Sequence, residues 1–215
     1  MVTGAAGRLG RLLVEAYVNR GATVAGVDRE GTAIPLPDGA HAFHADLTDK
    51  DEVAACFSKI ADDVGPIDGL VHAVGMWSMA PLHKTSLSDW RQMLDINLTS
   101  AFLCFREAIK QMRGSGGQVI GFASGQGADG GAAQQPAYSA SKAGIIRLVE
   151  SITAEYEDGD IRAHAIAPSM LLFGDEEDAE GVPAERIVDL ACYLTDPAVS
   201  RATNGAVIRA YGSLR

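Results

Sequence analysis

A tyrosine and a lysine stand four residues apart in the run Y-S-A-S-K, Tyr138 to Lys142. On a helix that spacing puts both side chains on one face, within reach of each other. An ammonium group beside a phenol favours the phenolate and lowers the phenol's pKa from about 10. Such a pair could exchange a proton with a substrate oxygen near neutral pH. A lone Y-x-x-x-K is a common surface pair, but two further polar residues give this one company. Ser124 follows the apolar run Q-V-I-G-F-A and precedes Tyr138 by 14 positions. A hydroxyl at the C-terminal end of a strand points into the crevice where doubly wound folds bind ligands. Asn97 lies in D-I-N-L-T-S, inside a long helical pattern and among apolar neighbours. A buried amide there needs partners, as a structural bridge or as part of a polar network.

A second group of residues suits an anion. Thr3 to Gly10 reads T-G-A-A-G-R-L-G and opens a stripe formed by Leu9, Leu12, Leu13, Ala16 and Tyr17. Gly4, Gly7 and Gly10 would allow a tight turn, close approach of a pyrophosphate and close helix–strand packing. Arg8 and Leu9 begin the helix whose free N–H groups and positive dipole end would face the phosphates. The next run, T-V-A-G-V, ends at Asp28, 18 residues after Gly10. A carboxylate there can accept hydrogen bonds from the adenosine ribose and would repel a 2′-phosphate, which favours NAD over NADP. Arg29 beside it is the residue type that accommodates a 2′-phosphate. Asp46 and Leu47, after the third strand, are candidate adenine contacts. Asp46 serves equally well as a turn or capping residue before a helix beginning near Thr48 or Asp49.

The elements that must position these residues alternate along the chain. Strand candidates are Thr23–Val27, Ala40–Phe43, Leu70–Val74, Val119–Phe122, Ala163–Ile166 and Ala206–Ile208. Several are continuous apolar runs, as expected of a parallel sheet covered on both faces. Between them lie helical patterns at about 9–17, 53–61, 88–112, 138–156 and 184–194. The β-α order predicts one doubly wound α/β domain over residues 1–215, with about seven mostly parallel strands and helices on both faces. The chain has 215 residues and 24 glycines, about 11% against a usual share of roughly 7%. Glycine in a compact apolar chain implies many tight turns. The formal charge is −10, with no basic stretch, which argues against a nucleic-acid partner. Part of the acidity is local, in Asp175–Asp178 and Glu180, a run expected to be a solvated loop. Cys56, Cys104 and Cys192 show no metal spacing and suit a reducing compartment. No apolar run is long enough to span a membrane, and no signal-peptide pattern opens the chain, so a cytoplasmic protein is expected.

Taken in order, these motifs resemble the short-chain dehydrogenase/reductase family. The likeness covers nearly the whole chain: the glycine turn, Asp28, A-D-L at Ala45–Leu47, H-A-V-G at His72–Gly75, Asn97, Ser124, Y-S-A-S-K, I-A-P-S at Ile166–Ser169, and T-N-G-A at Thr203–Ala206. The resemblance implies a Rossmann-type fold and hydride transfer between a nicotinamide cofactor and a carbonyl or alcohol substrate. Carried over, Tyr138 would be the general acid/base, and Lys142 would lower its pKa and hold the nicotinamide ribose. Ser124 would hydrogen-bond the carbonyl, and Asn97 would fix a water in a relay to Lys142. Ala73, Val74 and Gly75 would run along the adenosine side, with Pro168, Ser169 and Met170 near the nicotinamide. Homodimers or homotetramers paired through the two long helical segments are also implied.

The chain departs from the family pattern in three places. Only Met1 and Val2 precede Thr3, so the first strand is expected to be truncated, and an apolar segment upstream of Met1 would complete it. The lid segment 170–183 is short and acidic. His72–Gly75 and Ser169 replace commoner residues. A dinucleotide-binding sensor or scaffold with weak or no catalysis is the second reading. A dehydratase or epimerase of related fold ranks last, because the chain is too short for a separate substrate domain.

Overall fold

The computed structural model describes residues 1–156, 160–174, 180–200 and 203–212. The chain opens with β1 (Val2–Thr3), α1 (Arg8–Asn19), β2 (Val24–Asp28), β3 (Ala40–His44), α2 (Lys50–Asp63) and β4 (Gly69–His72). It continues through α3 (Leu87–Leu94), a π-helical turn (Asp95–Thr99), α4 (Ser100–Met112), β5 (Gly117–Phe122) and α5 (Gly125–Ala128). The remainder is α6 (Pro136–Glu155), β6 (Ile161–Pro168), β7 (Leu171–Leu172), β8 (Val182–Pro183), α7 (Ala184–Thr195), α8 (Pro197–Ser200) and β9 (Val207–Ala210).

Seven strands form one sheet in the order β3-β2-β1-β4-β5-β6-β9, and every pairing is parallel. A strand buried on both faces can be apolar throughout. β2, β5 and β6 are such strands and are almost entirely buried. One face packs Val27, Phe57, Leu70, Phe105, Ile145 and Val149 against α2, α4 and α6. The other packs Val2, Leu13, Val71, Ile120, Ile187 and Leu194 against α1 and α7. Successive strands are added to one side of β1 as far as β3 and to the other from β4 on, and the crevice outside the C-terminal ends of the strands at such a switch point is where doubly wound folds bind ligands.

Local chemistry explains the element ends. Asp49 caps α2 by accepting from the Asp51 and Glu52 N–H groups at 2.8 and 2.9 Å. Ser86 caps α3 through the Asp89 N–H at 3.0 Å. Pro136 opens α6, where its missing N–H costs nothing. The helical pattern expected at 88–112 is broken by the π-helical turn at Asn97, which periodicity did not reveal. β1 is two residues long, short as expected, and it lies at the sheet's centre between β2 and β4. The acidic run at 175–178 lies outside the described residues. Its flanks meet in a small parallel pair, β7 with β8.

The three cysteines are buried and free, and burial pushes the Cys56 thiol up to about 11. Among the described residues, no helix is long and apolar enough to cross a membrane.

Two interior histidines set an acid limit on this fold. Burial lowers the His72 pKa to about 3 and the His164 pKa to about 4. Both ring nitrogens of His164 are buried without a partner. Each folded-state value lies below the unfolded value of about 6.5, so the unfolded chain binds more protons in between. Stability is therefore full above pH 6.5 and falls as pH drops toward 4 and 3, by up to about 1.4 kcal/mol per pH unit for each histidine. Thermal unfolding midpoints should fall over that window, and His164→Val should flatten the fall. A variant with the parent's slope would show that the buried imidazole is not responsible.

Candidate active site

The glycine turn joins β1 to α1 at the crevice. Gly4 has φ +68°, and a Cβ there would lie 3.0 Å from the Ala73 backbone. A Cβ on Gly10 would lie 2.0 Å from the Gly4 carbonyl oxygen. Gly7 precedes α1 and brings no side-chain cap, and the first turn of a helix suits an anion, because its N–H groups have no intrahelical acceptor. This is a cradle that side chains would fill, and a dinucleotide pyrophosphate fits its chemistry. Arg8 stacks on the Phe173 ring, its guanidinium carbon 4.1 Å from the centroid, and so bridges the turn to the lid segment. Leu9 is half-buried against the α1–α7 core.

Asp28 stands at the end of β2. Its carboxylate accepts the Ala6 N–H at 3.0 Å and the Arg29 N–H at 2.9 Å, which locks the turn to the strand. The Arg29 side chain is exposed. Asp46 accepts from the Thr48 N–H and hydroxyl at 2.8 and 2.7 Å, and these bonds hold its carboxyl below the usual range. It is thus a turn residue, and the cap of α2 is Asp49. Leu47 is buried. Ala73 and Val74 are half-buried beyond β4, with the Ala73 N–H on Thr3 O at 3.2 Å.

Four polar residues converge where β4, β5, α6 and the π-helical turn meet. Asn97 is fully buried. Its Oδ1 accepts the Met76 N–H at 2.7 Å, and its Nδ2 lies 3.0 Å from both Met76 O and Ser141 Oγ. A π-bulge re-aims a side chain inside a helix, and here the bulge carries Asn97. Lys142 is 6% exposed and donates to Phe122 O at 2.9 Å. Burial lowers its pKa to about 8. Gly75 makes room for both groups, since a Cβ there would sit 3.2 Å from Lys142 Nζ and 3.4 Å from Asn97 Oδ1. Ser124 ends the segment after β5. Its Oγ is buried without a hydrogen-bond partner, yet it is near enough to the Tyr138 phenol to draw its pKa down.

The phenol departs from expectation. Burial raises the Tyr138 pKa, and this outweighs the Ser124 hydroxyl. Lys142 Nζ lies 6.0 Å from the Tyr138 ring centroid and is engaged with Phe122 O. Beside Tyr138 is a cavity of about 220 Å³, lined in part by Met76, Met79, Thr85, Gln92 and Gln135. Pro168 is buried at the end of β6. Ser169 is tied to the last strand by its N–H on Ala210 O and its hydroxyl on Tyr211 O, both at 3.1 Å. Met170 is largely exposed.

Several supporting residues escaped the sequence reading. His72 Nδ1 lies 2.9 Å from Thr3 Oγ1, and its Nε2 lies 3.2 Å from Ser100 Oγ. The Ser100 hydroxyl already donates to Ile96 O. His72 therefore donates from Nε2 and accepts at Nδ1, a tautomer assigned from the network, and it bridges β1, β4 and α4. Ser141 joins Asn97 to α6 by donating to Tyr138 O at 2.8 Å. Asp129, after α5, binds Arg209 Nε and Tyr211 Oη at 2.5 Å each, clamping the segment after Ser124 to β9. Only the clustering of Tyr138 with Ser141 and Lys142 hinted at any of this. The Asp129 clamp spans 80 residues and has no local signature.

Fold and topology define the class: a doubly wound, Rossmann-type α/β protein with a glycine turn at its switch point. The family model described as "short chain dehydrogenase" matches residues 1–176. The chain is 35% identical to cis-4-hydroxycyclohexanecarboxylate dehydrogenase of Sinomonas cyclohexanicum, over 86% of this chain and 76% of that protein. It is 35% identical to D-threitol dehydrogenase of Mycolicibacterium smegmatis, over 80% and 69%. It is 31% identical to 3-alpha-(or 20-beta)-hydroxysteroid dehydrogenase of Mycobacterium tuberculosis, over 80% and 68%. The chain belongs to the short-chain dehydrogenase family, and with it to the nicotinamide-dependent oxidoreductases.

Proposed function

We propose that this protein oxidises a neutral secondary alcohol, or reduces the matching ketone, with NAD as the preferred cofactor. The observation that carries the reading is the Ser124 hydroxyl, buried beside Tyr138 and left without a partner. A buried polar atom without a partner is costly. A substrate oxygen between the two hydroxyls would satisfy it.

The bound cofactor supplies the hydride acceptor or donor. The chain's own groups do the rest. Gly4, Gly7 and Gly10, with the first N–H groups of α1, would hold the pyrophosphate. Asp28 would accept from the ribose hydroxyls. Lys142 would exchange part of its bond to Phe122 O for the nicotinamide ribose. Ser124 Oγ would donate to the substrate oxygen and steady its developing negative charge. Tyr138 Oη would give that oxygen a proton during reduction and take one during oxidation. Asn97, anchored by Met76, would position a water on the path to Lys142. The cavity walls beside Tyr138 carry amides, hydroxyls and thioethers, with Asp89 the one charged residue lining it among the described residues. Neutral cyclic alcohols and small polyols suit it better than anions, consistent with relatives named for threitol and a hydroxycyclohexane ring.

Cofactor choice is tested at Asp28. Asp28→Asn keeps an acceptor for the Ala6 N–H but removes the charge that would repel a 2′-phosphate. The ratio of kcat/KM for NADP to that for NAD should rise about tenfold or more, because losing one opposed charge contact is worth about 1.4 kcal/mol or more. An unchanged ratio would mean Asp28 is not the selector. We also propose a homodimer or homotetramer paired through α4 and α6. Phe102 is 46% exposed there, beside Leu98 and Leu148. Phe102→Asp should lower the mass measured in solution.

A further inference from the structure

Ser124 stands at the N-cap of α5, a single turn of four residues. A serine there normally accepts an N–H of its own helix. This one makes no such bond, and its Oγ is buried without a partner. A helix this short does not hold itself together in water, so contacts with other elements must fix where the hydroxyl points. The turn's own bonds run to the Ser124 carbonyl, which accepts the Gly127 and Ala128 N–H groups at 3.0 and 2.9 Å. Gly127 lies on the backbone of α6, since a Cβ there would be 2.6 Å from the Lys142 carbonyl carbon. That contact sets one side of α5.

The other side is set by β9 and the residue after it. Asp129 accepts from Arg209 Nε and Tyr211 Oη at 2.5 Å each, and Arg209 Nη2 donates to Ala128 O at 3.3 Å. The Tyr211 ring covers Gly125, where a Cβ would lie 3.3 Å from its edge. The Tyr211 carbonyl accepts the Ser169 hydroxyl at 3.1 Å. Tyr211 thus touches both the residue after Ser124 and the residue after β6. The Arg209 and Asp129 side chains are 51% and 48% exposed, and a surface ion pair adds little to stability. Stability alone therefore does not account for three side chains converging on this one turn.

We infer that Asp129, Arg209 and Tyr211 are positioning residues, which fix the Ser124 hydroxyl against the Tyr138 phenol by clamping α5 between β9 and α6. They act through Ser124, so the inference rests on the proposed role of that hydroxyl and adds what holds it. With the clamp released, α5 stays attached on its Gly127 side only, and the Ser124 Oγ is free to swing relative to the phenol.

The test is a double-mutant cycle in the full chain, with NAD and an alcohol that the parent oxidises. Asp129→Ala should lower kcat about tenfold to a hundredfold, the scale of an ångström-sized misplacement, and leave the affinity for NAD within about twofold. In the Ser124→Ala background the same change should lower kcat by less than about twofold, because nothing remains to be positioned. Equal losses with and without the Ser124 hydroxyl would overturn the inference and leave the clamp a packing contact. Tyr211→Phe keeps the ring on Gly125 and loses only the bond to Asp129. It should show the same pattern at smaller size, and it takes the place of Asp129→Ala should that variant not fold. Amide hydrogen exchange needs no substrate: Gly127 and Ala128 should exchange at least about tenfold faster in Asp129→Ala than in the parent, with β5 unchanged. Unchanged exchange at those two amides would overturn the inference whatever the rates. A parent that oxidises no alcohol would contradict the proposed activity, while faster exchange at Gly127 and Ala128 would still support the clamp's hold on Ser124.

Discussion

Tyr138→Phe should lower kcat for alcohol oxidation by about 10² to 10⁴-fold, the usual contribution of a positioned acid or base, while the affinity for NAD stays within about twofold. The change removes one oxygen and keeps the ring. It therefore separates proton transfer from folding. The phenol is partly desolvated, and burial raises its pKa, so removing the hydroxyl should leave the unfolding midpoint unchanged or slightly higher. Ser124→Ala should act in the same direction, because it removes the hydroxyl that faces the phenol and has no other partner. Steady-state rates at 340 nm, together with quenching of protein fluorescence by NADH, would measure both quantities. A Tyr138→Phe protein that turns over like the parent would show that the proton moves through another group.

The second large effect belongs to the glycine turn. A Cβ on Gly10 would lie 2.0 Å from the Gly4 carbonyl oxygen, 2.7 Å from its carbon and 2.9 Å from the Ala5 Cα. All three are backbone atoms of the turn, so no rotamer change relieves the clash. Gly10→Ala should therefore open the turn, cost about 3 kcal/mol of stability and lower the unfolding midpoint by about 6 to 12 °C. Cofactor affinity should fall with it, because the N–H groups of α1 would no longer be held beside Ala6 and Asp28. Gly7→Ala supplies the contrast. Its Cβ would be 3.2 Å from the same oxygen, a distance the turn can absorb, so its loss of stability should be much smaller. Calorimetry on the two variants would separate them, and equal losses would mean that the close approach at Gly10 is not what fixes the turn.

The parallel sheet, the helices over both its faces and the glycine turn were legible because each has a local signature: runs of β-branched residues, a 3.6-residue stripe, and glycine spacing ahead of a helix. Tyr138, Lys142, Ser124 and Asn97 could be picked out for the same reason, as unusual polar residues at the ends or inside of apolar elements. What could not be read was how they meet. The π-helical turn that carries Asn97 leaves no trace in the periodicity of 88–112. The Nε2–H tautomer of His72 depends on Thr3 and Ser100, residues 69 and 28 positions away. The electrostatics of Tyr138 was misjudged because i, i+4 spacing fixes the face but not the reach. Lys142 extends to Phe122 O instead of the phenol, and burial then decides the phenol's pKa. Asp46 illustrates the opposite case, since its turn role follows from Thr48 two residues on.

The central claim is hydride transfer between an alcohol carbon and nicotinamide C4 at the site formed by Ser124, Tyr138 and Lys142. It is tested most directly with a neutral cyclic alcohol or small polyol deuterated at its carbinol carbon, incubated with NAD and this protein. The account predicts that the product NADH carries deuterium at C4, that none is lost to water, and that the same incubation with the Tyr138→Phe protein yields almost no labelled NADH. Reduced cofactor that forms without label, or label that forms equally with the Tyr138→Phe protein, would contradict it.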